Sequence, residues 1–146
     1  MKALLEAWNI DISKLASRED GLNERIKAQK LVYLLQNRKR KCFYQYNIYV
    51  HGPYSPSLSR DYYELARSSS KVQSSADSAL VREAKSLFQK VRKFKTPDNA
   101  ALSVVSILEL LSTTSFFADR FSSRERVKQA VRRIKPNFTD EQVEAA

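Results

Sequence analysis

The residues able to do chemistry are few, and most stand close together in the chain. There is one histidine, His51, and one cysteine, Cys42. His51 opens the stretch His51-Gly52-Pro53-Tyr54-Ser55-Pro56-Ser57-Leu58, which holds one of two glycines and two of four prolines. An imidazole titrates near neutrality and can serve as a general base when a second group orients it. Asp61 and Glu64, downstream in sequence, are the carboxylates placed to do so. No serine or cysteine has a recognisable nucleophile setting, so no catalytic residue is assigned and no enzyme is expected. One histidine and one cysteine do not furnish a zinc site. Two isolated glycines, Gly21 and Gly52, cannot build a phosphate-cradling loop. No cofactor or metal is expected.

Cations are the other chemistry on offer. The net charge is +10. It gathers in three segments: Arg38 to Lys41, residues 80–95 and residues 120–135. Within the last, Arg124, Lys128 and Arg132 recur every four residues, one turn of a helix apart, with Arg133 beside them. Such a stripe can follow a phosphate backbone. The plainer reading is a solvated helix face, with Arg132, Arg133 and Lys135 favoured near a helix C-terminus.

These residues need elements to hold them. The length suits a single domain over residues 1–146, and such a chain buries about 68–70% of its unfolded surface. The expected fold is mainly α: a compact helical domain with a small β element of one or two short strands. Leu4, Leu5 and Trp8 mark a first helix over residues 2–10, and Ser17 to Gly21 reads as a loop. Residues 23–37, capped by Asn23, form a second helix, apolar nearly all round and hence central. Its polar stripe is Arg25, Gln29 and Gln36. Lys30 lies among Ile26, Tyr33 and Leu34, either packing its stem with its head in water or held as a cation beside the His51 stretch.

Phe43 to Val50 alternates with period two, which predicts a strand with Tyr44, Tyr46, Ile48 and Val50 on one face. Its expected partner is Lys71 to Ser74. Gly52 and Pro53 turn the chain. Ser55 caps the next helix with Pro56 at its first position. Residues 68–78 read as a serine-rich loop. Residues 78–93 are amphipathic, and Thr96-Pro97-Asp98 signals another helix start. Ala100 to Leu111 carries one charge, Glu109, and reads as the most buried helix. Phe116, Phe117 and Phe121 read as an aromatic connector. A helix over 123–134 ends before Pro136, and Thr139 with Gln142 matches a capping box.

The stretch Glu24-Arg25-Ile26-Lys27-Ala28-Gln29-Lys30-Leu31-Val32-Tyr33-Leu34-Leu35-Gln36, followed by Tyr49 to Leu58, resembles the YwgA-like family of small prokaryotic proteins. It is similar, more remotely, to the Panacea domain of antitoxins. Ala28 stands where leucine is usual, and His51 where an aromatic residue is common. Ile134-Lys135-Pro136 also looks like the YwgA-like pattern. The resemblance implies a mostly helical domain without known catalysis. Panacea domains neutralise a paired toxin by direct binding, and a relative serves as a proteolysis adaptor.

The expected function is therefore a non-enzymatic protein-binding module, antitoxin-like or adaptor-like, with a protein partner. Lys30, Gln36, His51 and Tyr54 are the expected contact residues, and Gly52, Pro53, Ser55 and Pro56 the structural frame. The rival is nucleic-acid binding through the three basic segments, with Arg124, Lys128, Arg132 and Arg133 as contacts. No apolar run spans a bilayer and no signal pattern opens the chain, so the expected address is cytoplasmic, away from the membrane.

Overall fold

The central helix is the one that the sequence makes apolar on almost every side. In the computed structural model, which describes residues 1–68, 77–98 and 101–146, it is α2, Leu22–Lys39. Ala28, Leu31, Val32, Tyr33 and Leu35 are all buried. It is preceded by α1, Lys2–Ala7, and a 3-10 turn, Ile12–Ala16. It is followed by β1, Asn47–Tyr49, β2, Gly52–Tyr54, and α3, Pro56–Arg67. Four helices complete the chain: α4, Ser78–Lys93; α5, Val104–Ala118; α6, Arg124–Ile134; and α7, Asp140–Ala145. The fold is mainly α, and among the described residues its only sheet is a two-stranded antiparallel hairpin.

α2 packs against α5, α4, the 3-10 turn and β2. The main core joins Leu5, Trp8, Leu15, Leu31, Leu35, Leu58, Tyr62 and Leu108. Trp8 donates its indole N–H to the Ala84 carbonyl at 2.9 Å, tying α1 to α4. Asn37 on α2 donates to Asp119 beyond α5 at 2.9 Å. A second cluster, Leu110, Val127, Val131, Phe138 and Val143, seats α6 and α7 on α5.

Several boundaries differ from the sequence expectations. α2 starts one residue early, with Gly21 at the N-cap and no side-chain cap from Asn23. The predicted start at Thr96-Pro97-Asp98 is not one. α5 begins at Val104, where the Ser103 hydroxyl accepts from the Ser106 N–H at 3.1 Å. Thr96 is buried, and Asp98 accepts from Gln142 Nε2 at 2.7 Å, so this segment anchors α7 instead. Phe116 and Phe117 are the end of α5, not a connector. The Thr139–Gln142 capping box forms in both directions, at 3.1 and 3.2 Å. Of the expected serine-rich loop, residues 69–76 lie outside the described residues, as does the expected strand Lys71 to Ser74.

The strand element is shorter than its alternation predicts. β1 covers three residues, and its partner is β2. The register pairs Asn47 with Tyr54, Ile48 with Pro53 and Tyr49 with Gly52, so Val50 and His51 form a two-residue turn. Gly52 and Pro53, expected at the turn, are in the second strand. Gly52 still takes the left-handed step, with φ +93°, while Val50 and His51 keep negative φ. A left-handed residue costs glycine nothing sterically.

Candidate functional site

Pro53 has no N–H, so the Ile48–Pro53 pair cannot be a hydrogen-bonded rung of the ladder; those rungs are its neighbours. The Pro53 carbonyl therefore points off the outer edge of β2. There it accepts a hydrogen bond from Lys30 Nζ at 2.6 Å. Lys30 is 1% exposed, so its head does not reach water. It is the cation held beside the His51 stretch, bonded to backbone.

Two glutamines of α2 act in the same way. Gln29 Oε1 accepts from the Ser55 N–H at 2.9 Å, and its Nε2 donates to the Ser55 carbonyl at 3.0 Å. Nε2 also donates to Ser59 Oγ at 2.9 Å. Seven residues on, two turns along the same side of the helix, Gln36 Oε1 accepts from the N–H groups of Phe43 and Tyr44, at 3.3 and 3.1 Å. Gln36 Nε2 donates to the Tyr44 carbonyl at 3.1 Å. Each carboxamide presents one donor and one acceptor, as a neighbouring strand would. β1 is short because its partner turns into α3 at Pro56, and Gln36 bonds the backbone of Phe43 and Tyr44 in place of a strand. α2 thus grips the chain where it enters the hairpin and where it leaves.

The expected partner contacts divide accordingly. Lys30 and Gln36 are buried and each is bonded to backbone; Lys30 lines the groove beside the hairpin, and Gln36 does not. His51 is half-exposed and Tyr54 partly exposed. Tyr54 Oη accepts from Ser59 Oγ at 2.8 Å, and its ring meets Tyr49 edge-on, with centroids 5.2 Å apart. Pro53 and Ser55 are buried, Ser55 caps α3 by accepting from the Leu58 N–H at 3.4 Å, and Pro56 opens that helix. Gly52 is also buried, and a Cβ there would lie 2.4 Å from Thr113 Oγ1 on α5 and 3.6 Å from Lys30 Nζ. The position therefore admits no side chain without displacement.

The carboxylate that meets His51 is neither Asp61 nor Glu64. Asp61 accepts from the Tyr44 hydroxyl at 2.6 Å. His51 Nδ1 instead lies 2.7 Å from Glu109 Oε1, and Lys135 Nζ donates to Glu109 Oε2 at 2.8 Å. Glu109 is the lone charge of an apolar helix stretch, a signal visible in the sequence, although nothing there names its partners. Burial pushes the Lys30 ammonium down to about 7; Glu109 opposes that shift and Lys135 adds to it.

Beside the hairpin is a groove of about 470 Å³. Leu22, Ile26, Tyr49, Val50, Tyr54 and Tyr63 supply apolar and aromatic walls, Arg25 and Lys30 its charges, and His51 an imidazole. Arg25 is held by the carbonyls of Leu15 and Ser17.

The basic segments fare differently. Arg38 and Lys39 both meet Glu83 on α4. Lys128 is held by Glu125 at 3.3 Å and Glu144 at 2.8 Å, and Arg132 by Asp140. Two members of the cationic stripe of α6, Lys128 and Arg132, are thus matched by carboxylates of α6 and α7. Arg124 and Arg133 are exposed with no ion pair among the described residues, as are Lys85, Lys90, Arg92 and Lys93 of α4. No helix among the described residues is long and apolar enough to cross a membrane. No family model, no curated protein and no solved structure matches this chain.

Proposed function

We propose that this chain is a non-enzymatic protein-binding module, antitoxin-like or adaptor-like, with the hairpin and its groove as the docking surface. One observation carries the reading. Among the described residues, large apolar side chains are markedly exposed at five places, and three of them rim this groove: Leu22 at 47%, Tyr49 at 52% and Val50 at 78%. Apolar area left in water forgoes about 25 cal/mol per Å² of burial. Exposed apolar side chains gathered on the rim of one groove favour an interaction site there. Tyrosines suit such a site, because they bury area and keep a polar tip. The hairpin beneath is fixed by Gln29, Lys30 and Gln36, so a partner meets a preorganised surface and orders little on binding. The resemblance to Panacea domains, which act by direct binding, favours the same reading.

The test is reconstitution. A partner captured from the host by the tagged chain is purified, and its affinity is measured against Tyr49→Ala and Val50→Ala. Both side chains are exposed, so the variants keep their circular dichroism and melting temperature and lose at least tenfold in affinity. Unchanged affinity, or no partner that survives purification, refutes the reading.

A second reading, nucleic-acid contact, keeps one supporting observation: the exposed cations of α4 that have no ion pair among the described residues. It requires binding to duplex or single-stranded DNA or RNA that weakens steeply with salt. Absence of binding at low salt removes it.

A further inference from the structure

The charges around the hairpin groove are unbalanced. Among the described residues that line it there are two cations, Arg25 and Lys30, with the imidazole of His51 beside them, and no aspartate or glutamate. Behind it, Glu109 is the one carboxylate that serves His51, Lys135 and, through its field, Lys30. An ammonium offers three N–H donors. The Pro53 carbonyl takes one of those of Lys30. A buried cation with incomplete pairing is costly, and an incoming anion relieves that cost.

We propose that the segment recognised in this groove carries a carboxylate next to an apolar side chain. The apolar side chain lies among Tyr49, Tyr54 and Tyr63, and the carboxylate meets Lys30 and His51 at the buried end. This rests on the reading of the hairpin as a protein-docking surface and adds the chemistry of the occupant: an acidic, apolar segment of the partner. A single negative charge suits one buried ammonium and one half-exposed imidazole. A phosphate asks for a fork of free donors, and Nη1 of Arg25 is already bonded to the Leu15 and Ser17 carbonyls.

The probe is 3-phenylpropionate, with 3-phenylpropanamide as its uncharged counterpart. Each is titrated at pH 6 into the ¹⁵N-labelled chain and followed at the amides of Tyr49, His51 and Gly52. The acid binds about tenfold more tightly than the amide, the worth of one charged hydrogen bond. Lys30→Met abolishes that preference. Should this variant fail to fold, His51→Gln, at an exposed turn, reduces it. Lys128→Gln, on the far helix α6, leaves it unchanged. Equal binding of acid and amide overturns the carboxylate and leaves the groove as an apolar docking surface. A preference untouched by the His51 and Lys30 variants also overturns it. If neither probe shifts these amides, the inference falls. Partner affinity in Tyr49→Ala then separates the two claims: a loss keeps the docking surface, and no loss removes both.

Discussion

Gln29 and Ser55 exchange two hydrogen bonds, one in each direction, between a helix side chain and the backbone of the chain leaving the hairpin. Both residues are buried, so neither backbone group can turn to water instead. Replacing Gln29 with alanine leaves the Ser55 N–H unsatisfied, at about 1–3 kcal/mol, while the Ser55 carbonyl keeps its bond from the Ser59 N–H at 3.1 Å. Gln29→Ala is expected to lose about 2 kcal/mol in urea unfolding. Gln29→Leu, which fills the space but bonds nothing, should be little better.

Gly52 and Thr113 form a second testable pair. Gly52→Ala places a Cβ 2.4 Å from Thr113 Oγ1 and forces alanine to φ +93°. The backbone part alone is of the order of 1–3 kcal/mol. Thr113→Ala removes the clashing oxygen, which is buried and has no hydrogen-bond partner among the described residues. The double variant Gly52→Ala with Thr113→Ala should therefore regain the steric part and not the backbone part. A thermodynamic cycle from denaturant unfolding measures the difference.

Lys30 predicts an unusual pH dependence. Its folded pKa is lowered from 10.5 to about 7, chiefly by burial. Between those values the unfolded chain binds the proton more readily than the folded one, so stability rises with pH. The penalty is fully present below about 7 and is relieved upward from there, at no more than about 1.4 kcal/mol per pH unit. Unfolding curves from pH 7 to 9 should show the rise, and Lys30→Met should flatten it. Above about 10 the trend reverses. Burial pushes the Tyr44 and Tyr46 hydroxyls up, and stability that rests on their neutral form is lost as the unfolded phenols ionise.

Glu109 joins His51 to Lys135 through its two oxygens. Glu109→Gln keeps the shape and removes the charge, leaving Lys135 and Lys30 largely buried without their counter-ion. The expected cost is about 2–4 kcal/mol, less than for a fully buried pair because the His51 end is open to solvent. Lys135→Met, which removes a competing cation, should cost less than Glu109→Gln in the same denaturant assay.

Much of this fold is legible in the residues themselves. The nearly all-round apolar character of Leu22–Lys39 marks the central helix, and Ser55-Pro56 marks the start of α3, because both signals are local. The β element is only half legible. Phe43 to Val50 alternates like a long strand, yet a strand needs a neighbour, and here a glutamine supplies one for two of its residues. In sequence a carboxamide bonded to buried backbone looks the same as one in water. Gln29 and Gln36 therefore read as a polar stripe, and Lys30 as an oddity. Glu109 stands out as a lone charge, but its pairing with His51 spans 58 positions and depends on how α5 passes under the hairpin. The basic stripe of α6 reads correctly as a stripe. Its neutralisation by α7 is a tertiary fact.

The glutamine grips also change what the amide protons flanking the hairpin report. In a ladder, an amide is shielded by the opposite strand and exchanges when the sheet opens. The N–H groups of Tyr44 and Ser55 are shielded by side chains of a helix. Their exchange with deuterium is gated by rotation about the χ angles of Gln36 and Gln29, with no strand separation required. Opening at the two ends of this hairpin is thus tied to α2, and a ligand that stiffens the helix would slow exchange at residues it never touches.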